Sequence, residues 1–369
     1  MLRWILKTLW LQKPSLLASA AGVAGAFVLV VILHAVFVGE SRQVVAYVRH
    51  TAADVWVMQR GVGNMHMANS FVWDSKVKRI AELPGVRAAT PILYSGIVVR
   101  TPGRRWLAFA VGLQRGATRG GPWAMAAGRT TPGPGEIVVP RVFADMAGVA
   151  LGGRVSVTGR ILEVVGLSEG SFSMGNSVVF MAASDLAELM SAQGTVSYII
   201  VDAQPGQDGA GLAARIEQAV DKVSALPAER FIRNDYQLAM QMGTEIIAFM
   251  TLIGAGLAAV IIAFTAYSQV ARRRRELAIA KALGVRNRAI YAAVGLQTLV
   301  ITGLGLALAL LAAWGLFPLL SALVPQITLV VTAEAMWRAA AVALVVASIS
   351  AWIPARYVAR VDPLTAFKG

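Results

Sequence analysis

Gly166-Leu167-Ser168-Glu169-Gly170 has the spacing of a nucleophile elbow, in which a serine on a strand-to-helix turn attacks a carbonyl. The segment follows a predicted strand, but Ser171–Asn176 has no helix start, and His34, His50 and His66 all precede Ser168. A Ser…Asp…His chain order is therefore unavailable, and a β-turn is the expected role. Met65-His66-Met67, with Met58 nearby, offers the imidazole and thioether groups that hold haem or copper. Neighbouring strand residues point to opposite faces, so one shared metal is awkward there and packing competes with ligation. Gly254-Ala255-Gly256-Leu257-Ala258-Ala259 and Gly303-Leu304-Gly305 imitate a dinucleotide fingerprint, yet both sit inside long apolar runs without a strand-turn-helix context. Small residues four apart, Ala21/Gly25, Gly254/Ala258 and Gly303/Ala307, instead mark helix surfaces that can approach closely. The sequence has no G-x-x-x-x-G-K-[ST] loop, so any ATP is expected on another subunit, and no catalytic, cofactor or metal residue is assigned to this chain.

The elements that carry these residues are set by hydropathy. Of the 369 residues 57% are hydrophobic, with a mean hydropathy of +0.63, and residues 14–39, 246–271 and 289–333 contain no Asp, Glu, Lys or Arg. Each stretch exceeds the roughly 20 residues that cross a bilayer. Four transmembrane helices are expected, at 14–38, 246–270, 289–314 and 333–353, with a short external loop at 315–332. His34 then lies in the outer part of the first span, where it lines a pathway or meets headgroups.

The net charge of +14 raises the question of nucleic acid, and its placement answers it. Residues 1–13, 271–289 and 355–369 hold thirteen Lys/Arg against only Glu276 and Asp362. That is the positive-inside pattern, placing both termini and the basic elbow in the cytoplasm and residues 40–245 outside. No nucleic-acid partner is expected, whereas membrane lipids are. The absence of cysteine excludes disulfides and thiol chemistry and fits the bacterial cytoplasmic membrane. Ala18-Ser19-Ala20 resembles a cleavage box but precedes the apolar core, so an uncleaved anchor is expected. Leu2, Ile5, Leu6, Leu9 and Trp10 form one stripe, which predicts an interfacial helix over residues 1–13.

The external region reads as α+β. Asp54–Gln59 alternates as a strand, Ser70–Leu83 as a helix and Val86–Arg100 as extended chain; Val196–Asp202 and Leu212–Ala225 repeat a strand and a helix. Between them, residues 101–195 are rich in Gly, Pro and short strands at Trp106–Val111, Glu136–Val139, Val155–Thr158, Ile161–Val165 and Val178–Met181. The expectation is a β-rich subdomain, 101–195, inserted into a layer made of 40–100 and 196–245.

Arg272-Arg273-Arg274-Arg275 opens the elbow, residues 271–288, between the second and third spans. The arginines anchor topology and attract anionic lipids. Leu277, Ile279, Ala280 and Leu283 add an apolar contact surface, and Gly284 supplies a helix stop.

Arg273-x-Arg275-Glu276-Leu277-Ala278-x-x-Lys281-Ala282-Leu283-Gly284 resembles the segment R-x-R-E-[IL]-[AG]-x-x-[KR]-A-[LV]-G of MacB/FtsX-type ABC transporter permeases. Pro354-Ala355-Arg356 followed by Asp362-Pro363-Leu364, in the tail 354–369, resembles their terminal pattern. Ala53-Asp54-Val55-Trp56-Val57 and the single large domain between the first two spans are similar to the DevC-like branch. The resemblance implies a porter-like layer with a Sabre-like insert and a permease that pairs with a second copy and two ABC ATPase subunits, which hold ATP and Mg. Arg273, Arg275, Glu276, Leu277, Ile279, Ala280, Lys281, Leu283 and Gly284 would be the ATPase-coupling surface. A periplasmic adaptor and an outer-membrane duct are further expected partners. The expected function is export or mechanotransmission; the alternatives are an FtsX-like scaffold controlling a cell-wall hydrolase and a lipoprotein-release permease.

Overall fold

The computed structural model describes residues 13–349 apart from 174, 273, 331, 334, 335, 338, 339 and 347. The expected interfacial helix over residues 1–13 (all but its last residue) and the tail 354–369 lie outside the described residues, as does part of the fourth expected span. The chain divides into two compact units, one formed by Glu40–Met242 with Pro325–Thr328 and the other by the remainder.

In chain order the elements are α1 (Lys13–Val44), α2 (Ala46–His50), β1 (Val55–Gln59), β2 (Val72–Trp73), α3 (Ser75–Ala81), β3 (Val86–Thr101) and β4 (Arg104–Leu113). Then follow β5 (Met125–Gly128), β6 (Glu136–Pro140), α4 (Arg141–Ala147), β7 (Arg154–Val157), β8 (Arg160–Ser168), β9 (Val178–Ala182) and α5 (Ala183–Met190). β10 (Thr195–Val196), β11 (Tyr198–Ala203), α6 (Gly209–Ala219), β12 (Val223–Pro227), α7 (Ala228–Arg272), α8 (Arg274–Ala282) and α9 (Asn287–Leu323) complete the described set.

One sheet organises the α+β unit, in the order β12-β1-β11-β3-β4-β9-β6-β8-β5, while β7 pairs with both β3 and β8. That double pairing closes β3, β4, β9, β6, β8 and β7 into a ring, so the β-rich segment is a small barrel and not a flat insert. Inward residues fill it: Ile97, Val99, Ala110, Ile137, Val157 and Leu162 share one core. The long strand β3 belongs to both parts, its first half pairing with β11 and its second with β4 and β7.

Outside the ring, β12, β1, β11 and the start of β3 are antiparallel, with α3 and α6 on one face. Strand alternation sorts the side chains: Val55 and Val57 pack toward the helices, Trp56 and Met58 toward an aromatic core that includes Tyr47, Tyr94, Tyr198 and Phe231. The sequence pattern predicts a helix through Ala225, but α6 ends at Ala219. Val220 is extended (φ −121°, ψ 119°), and Val223–Pro227 pairs with β1 because its alternate residues Val223 and Ala225 complete the core under α6. Helices α4 and α5 and strand β5 have no counterpart among the expected elements.

In the helical unit, Leu16–Val44 and Asn287–Leu323 are, among the described residues, the two helices long and apolar enough to cross a membrane by length and composition. Within α7 the apolar stretch Leu252–Thr265 is shorter. Helix α7 itself begins at Ala228, well before the expected start at 246, and runs unbroken for 45 residues.

Candidate functional site

The elbow is built from three local decisions. Helix α8 carries Glu276 in its first turn and Lys281 in its last, the charge order that complements a helix dipole. It stops because Gly284 adopts φ +88°, a conformation disfavoured for residues with a Cβ, while the amides of Leu283 and Gly284 bond to the carbonyls of Ile279 and Lys281. Arg286 is then extended (φ −65°, ψ 140°) and α9 starts at Asn287.

The result is a nine-residue helix between two long ones. Arg275, Glu276 and Ile279 are exposed, and Leu283 is 82% exposed. Leu283 follows the last residue of α8, at the end of the helix away from Arg274 and Arg275. Arg273 and the side chains of Leu277 and Ala280 lie outside the described residues.

Close helix approach is found at three glycines. A Cβ on Gly254 would lie 2.3 Å from Val30 Cγ2, one on Gly305 would lie 2.6 Å from Val23 Cγ1, and one on Gly22 would lie 3.3 Å from Ile261 Cγ2. Thus α1 packs against α7 and α9, with Phe27, Ala258, Ile262 and Ile301 in the shared core. Of the sequence-proposed positions, Gly254 and Ala258 face α1 or its core. Ala21, Gly25, Gly303 and Ala307 are exposed, and a Cβ at Gly25 or Gly303 would meet nothing within 4 Å.

Both long helices end in buried polar anchors of the α+β unit. Asn176 Nδ2 donates to the carbonyls of Gln43 (3.3 Å) and Val44 (3.0 Å), which satisfies the last carbonyls of α1. The Gln43 side chain in turn donates to the Gly170 carbonyl. On α7, Asp235 is sealed from solvent and accepts from the Met65 amide (2.9 and 3.2 Å) and from His66 Nδ1 (3.2 Å). Because a carboxylate only accepts, Nδ1 carries the proton, and Nε2 lies 3.3 Å from the Tyr94 hydroxyl. Burial, then the charges of Tyr198, Asp235 and Tyr47, hold the Tyr94 phenol well above its ordinary pKa, so it stays a neutral donor.

These contacts reassign the candidate chemistry. Both nitrogens of His66 are engaged within the protein, Met65 is buried, and Met67 is exposed. Among the described residues no group of three or more His, Cys, Asp or Glu is placed to hold a metal. Ser168 closes β8 and shares a 2.6 Å hydrogen bond with Ser171, both buried, while His66 is committed to Asp235 and His50 stacks on Trp123. Asp235 and Asn176 carry no signal in the sequence: their partners lie 169 to 170 and 132 to 133 residues away, beyond any local pattern.

Apolar membrane-length helices, a large α+β domain after the first of them and an exposed basic elbow define a membrane-embedded permease component. A family model of the FtsX-like permease C-terminal region matches residues 248–363, and one of the MacB-like periplasmic core domain matches residues 16–219, more than half of the chain. The chain belongs to the MacB/FtsX-type ABC transporter permeases, and its α+β unit is the MacB-like periplasmic domain. It is similar to an uncharacterised ABC transporter permease of Mycobacterium bovis, 28% identical over 324 residues that cover 86% of this chain and 84% of that one. A second such permease, of Mycobacterium tuberculosis, is 27% identical over 331 residues, 87% of each chain. The periplasmic region of MacB from Actinobacillus actinomycetemcomitans aligns with 52% of this chain and 96% of that one at 11% identity and a TM-score of 0.38. Permeases of this family are in general non-catalytic components of transporters that associate with ATPase subunits.

Proposed function

We propose that this chain is the mechanotransmitting permease of an export complex, in which ATP-driven closure of a cytoplasmic ATPase dimer moves α8 and the periplasmic domains respond by releasing or handing over cargo. The observation that carries the reading is α7. It is one continuous helix of 45 residues, with Asp235 fixed near its first turn and Arg272, where the basic elbow opens, as its last residue. Continuous helical backbone passes on displacement better than an irregular linker.

In this reading four spans per chain cross the inner membrane, both termini are cytoplasmic, and the barrel is the Sabre-like part of a porter-like domain. Two copies pair, each bound to one ATPase subunit that supplies ATP and Mg; a periplasmic adaptor and an outer-membrane duct take cargo onward. The exposed apolar faces of α7 and α9 meet lipid or the second copy.

The coupling surface is tested with Leu277→Asp and Leu283→Asp in the full complex. Loss of ATPase co-purification, or of ATPase stimulation by the permease, is expected. Intact assembly together with intact stimulation would refute the coupling assignment. Mass spectrometry of the complex trapped with ATP separates the functional branches: an adaptor supports export, a secreted hydrolase supports a signalling scaffold, and a bound lipoprotein supports lipoprotein release.

A further inference from the structure

The periplasmic domain contains a cavity of about 310 Å3 at the end of α2, walled by the loops around residues 117–123 and 130–131. That volume is at the lower end of the range for small-ligand sites, about 300–1,000 Å3. Its polar lining consists of Arg119, His50 and the hydroxyls of Thr51, Thr118, Thr130 and Thr131, and no Asp or Glu lines it. The nearest acid in contact with the lining, Asp202, is shared: Arg87 Nη2 lies 3.3 Å and Arg119 Nε 3.4 Å from the same oxygen. One carboxylate therefore faces two guanidiniums, and positive charge is left over.

The wall is fixed in place. Arg119 Nη1 donates to the Thr51 carbonyl (3.2 Å), and the buried Tyr47 hydroxyl donates to the Gly120 carbonyl (3.0 Å). A Cβ on Gly120 would come within 3.0 Å of Ile92 and 3.3 Å of the Tyr47 hydroxyl, so this glycine lets the loop lie flat on the core. A preformed wall spares a ligand the cost of ordering it.

His50 refines the ligand. Its ring stacks on Trp123 at 4.6 Å, and Nδ1 lies 2.7 Å from the Ala46 carbonyl. A carbonyl only accepts, so Nδ1 donates to it and leaves Nε2 of the exposed ring to face a ligand. An anion alone engages Arg119 and leaves His50 Nε2 to water. A ligand with an oxyanion and a hydroxyl engages both: the guanidinium takes the oxyanion, Nε2 can accept from the hydroxyl, and the hydroxyls of Thr118, Thr130 and Thr131 serve either, that of Thr51 being given to the Val48 carbonyl. We infer that this pocket binds a small hydroxylated oxyanion of the sugar-phosphate or polyol-phosphate class. The inference stands apart from the ATPase-coupling reading, since it uses no residue of the elbow.

The test is a 31P line-broadening titration of the full chain in phosphatidylcholine nanodiscs, with glycerol 3-phosphate and inorganic phosphate as probes at constant ionic strength. Glycerol 3-phosphate is expected to bind at least fivefold more tightly than phosphate. His50→Phe, which keeps the ring stack, should abolish that preference while leaving phosphate binding within twofold. Thr130→Val with Thr131→Val should weaken both probes, and Arg119→Gln should weaken both at least tenfold. Equal affinity for the two probes in the wild-type chain, or a preference unchanged in His50→Phe, overturns the inference; neither outcome depends on Arg119→Gln remaining folded. In phosphatidylglycerol nanodiscs, weaker glycerol 3-phosphate binding identifies a lipid headgroup as the occupant, and unchanged binding identifies a free solute.

Discussion

In the periplasmic domain the bulkiest side chains, Trp56, Tyr47, Tyr198, Phe180 and Phe231, are sealed inside, whereas on α7 and α9 Phe264, Leu252, Leu311 and Trp314 stand exposed. The same residue classes are thus used in opposite ways. Water surrounds the first region, so burial of apolar surface drives its folding. For the second, lipid is as apolar as leucine, and helices adhere through close packing of small residues instead. Size identifies what holds the periplasmic domain; smallness identifies what holds the membrane helices.

The sharpest way to break that contrast is a pair of tryptophan replacements. Trp56 is fully buried, stacks on Phe231 at 5.1 Å and meets Tyr47 and Tyr198 edge-on. Trp56→Ala should destabilise the domain by about 3–5 kcal/mol. Trp314, 82% exposed, should tolerate Ala with a change within about 0.5 kcal/mol. Hydrogen exchange of β1 and β11 amides, with thermal unfolding in detergent, measures both. Equal effects would show that Trp314 is covered in the assembly. Trp56→Phe is a useful intermediate, because the buried indole N–H has no hydrogen-bond partner to lose.

A second pair tests smallness. Gly254→Ala places a methyl 2.3 Å from Val30, a branched side chain with little room to yield, and should cost about 1–3 kcal/mol. Gly303→Ala meets nothing within 4 Å and should be neutral, or stabilising by up to about 1 kcal/mol through helix propensity. The midpoint of thermal aggregation in a fixed detergent compares the two. A large cost at Gly303 would instead reveal contact with a second copy.

The two regions are also unequally legible. Hydropathy marks apolar stretches because twenty adjacent residues carry the signal, and Gly284 announces the end of α8 because few residues tolerate its φ. Helix faces are harder: small-xxx-small spacing picks out both Gly254 and Gly303, yet only the former meets another helix here. The start of α7 escapes a hydropathy reading because Arg230, Arg233 and Asp235 break the apolar run while leaving helical backbone intact. Most strands of the barrel can be read one by one, but not their closure, which needs β7 to pair with strands on both sides. Asp235 and His66 are unreadable as a pair for the same reason: a contact across 169 residues leaves no local trace.

The smallest effect separates surface charge from core packing within the periplasmic domain. Glu136 accepts from the Gly133 amide (2.7 Å) and from Arg129 (2.6 Å), and these contacts, the amide first, hold its carboxyl below the ordinary glutamate range. A lowered folded-state pKa means that the unfolded chain takes up this proton first as pH falls. Glu136 therefore contributes stability above the unfolded value, near pH 4.3, and loses it as pH drops through the folded value. Glu136→Gln should reduce stability at pH 7 by under about 1 kcal/mol and flatten its decline below about pH 4.5. Urea unfolding at pH 7, 5 and 3.5, followed by tryptophan fluorescence, gives the slope. Parallel curves for the variant and the wild type would remove Glu136 from the acid response, leaving it to other carboxylates such as Glu169, which Arg141 also holds low.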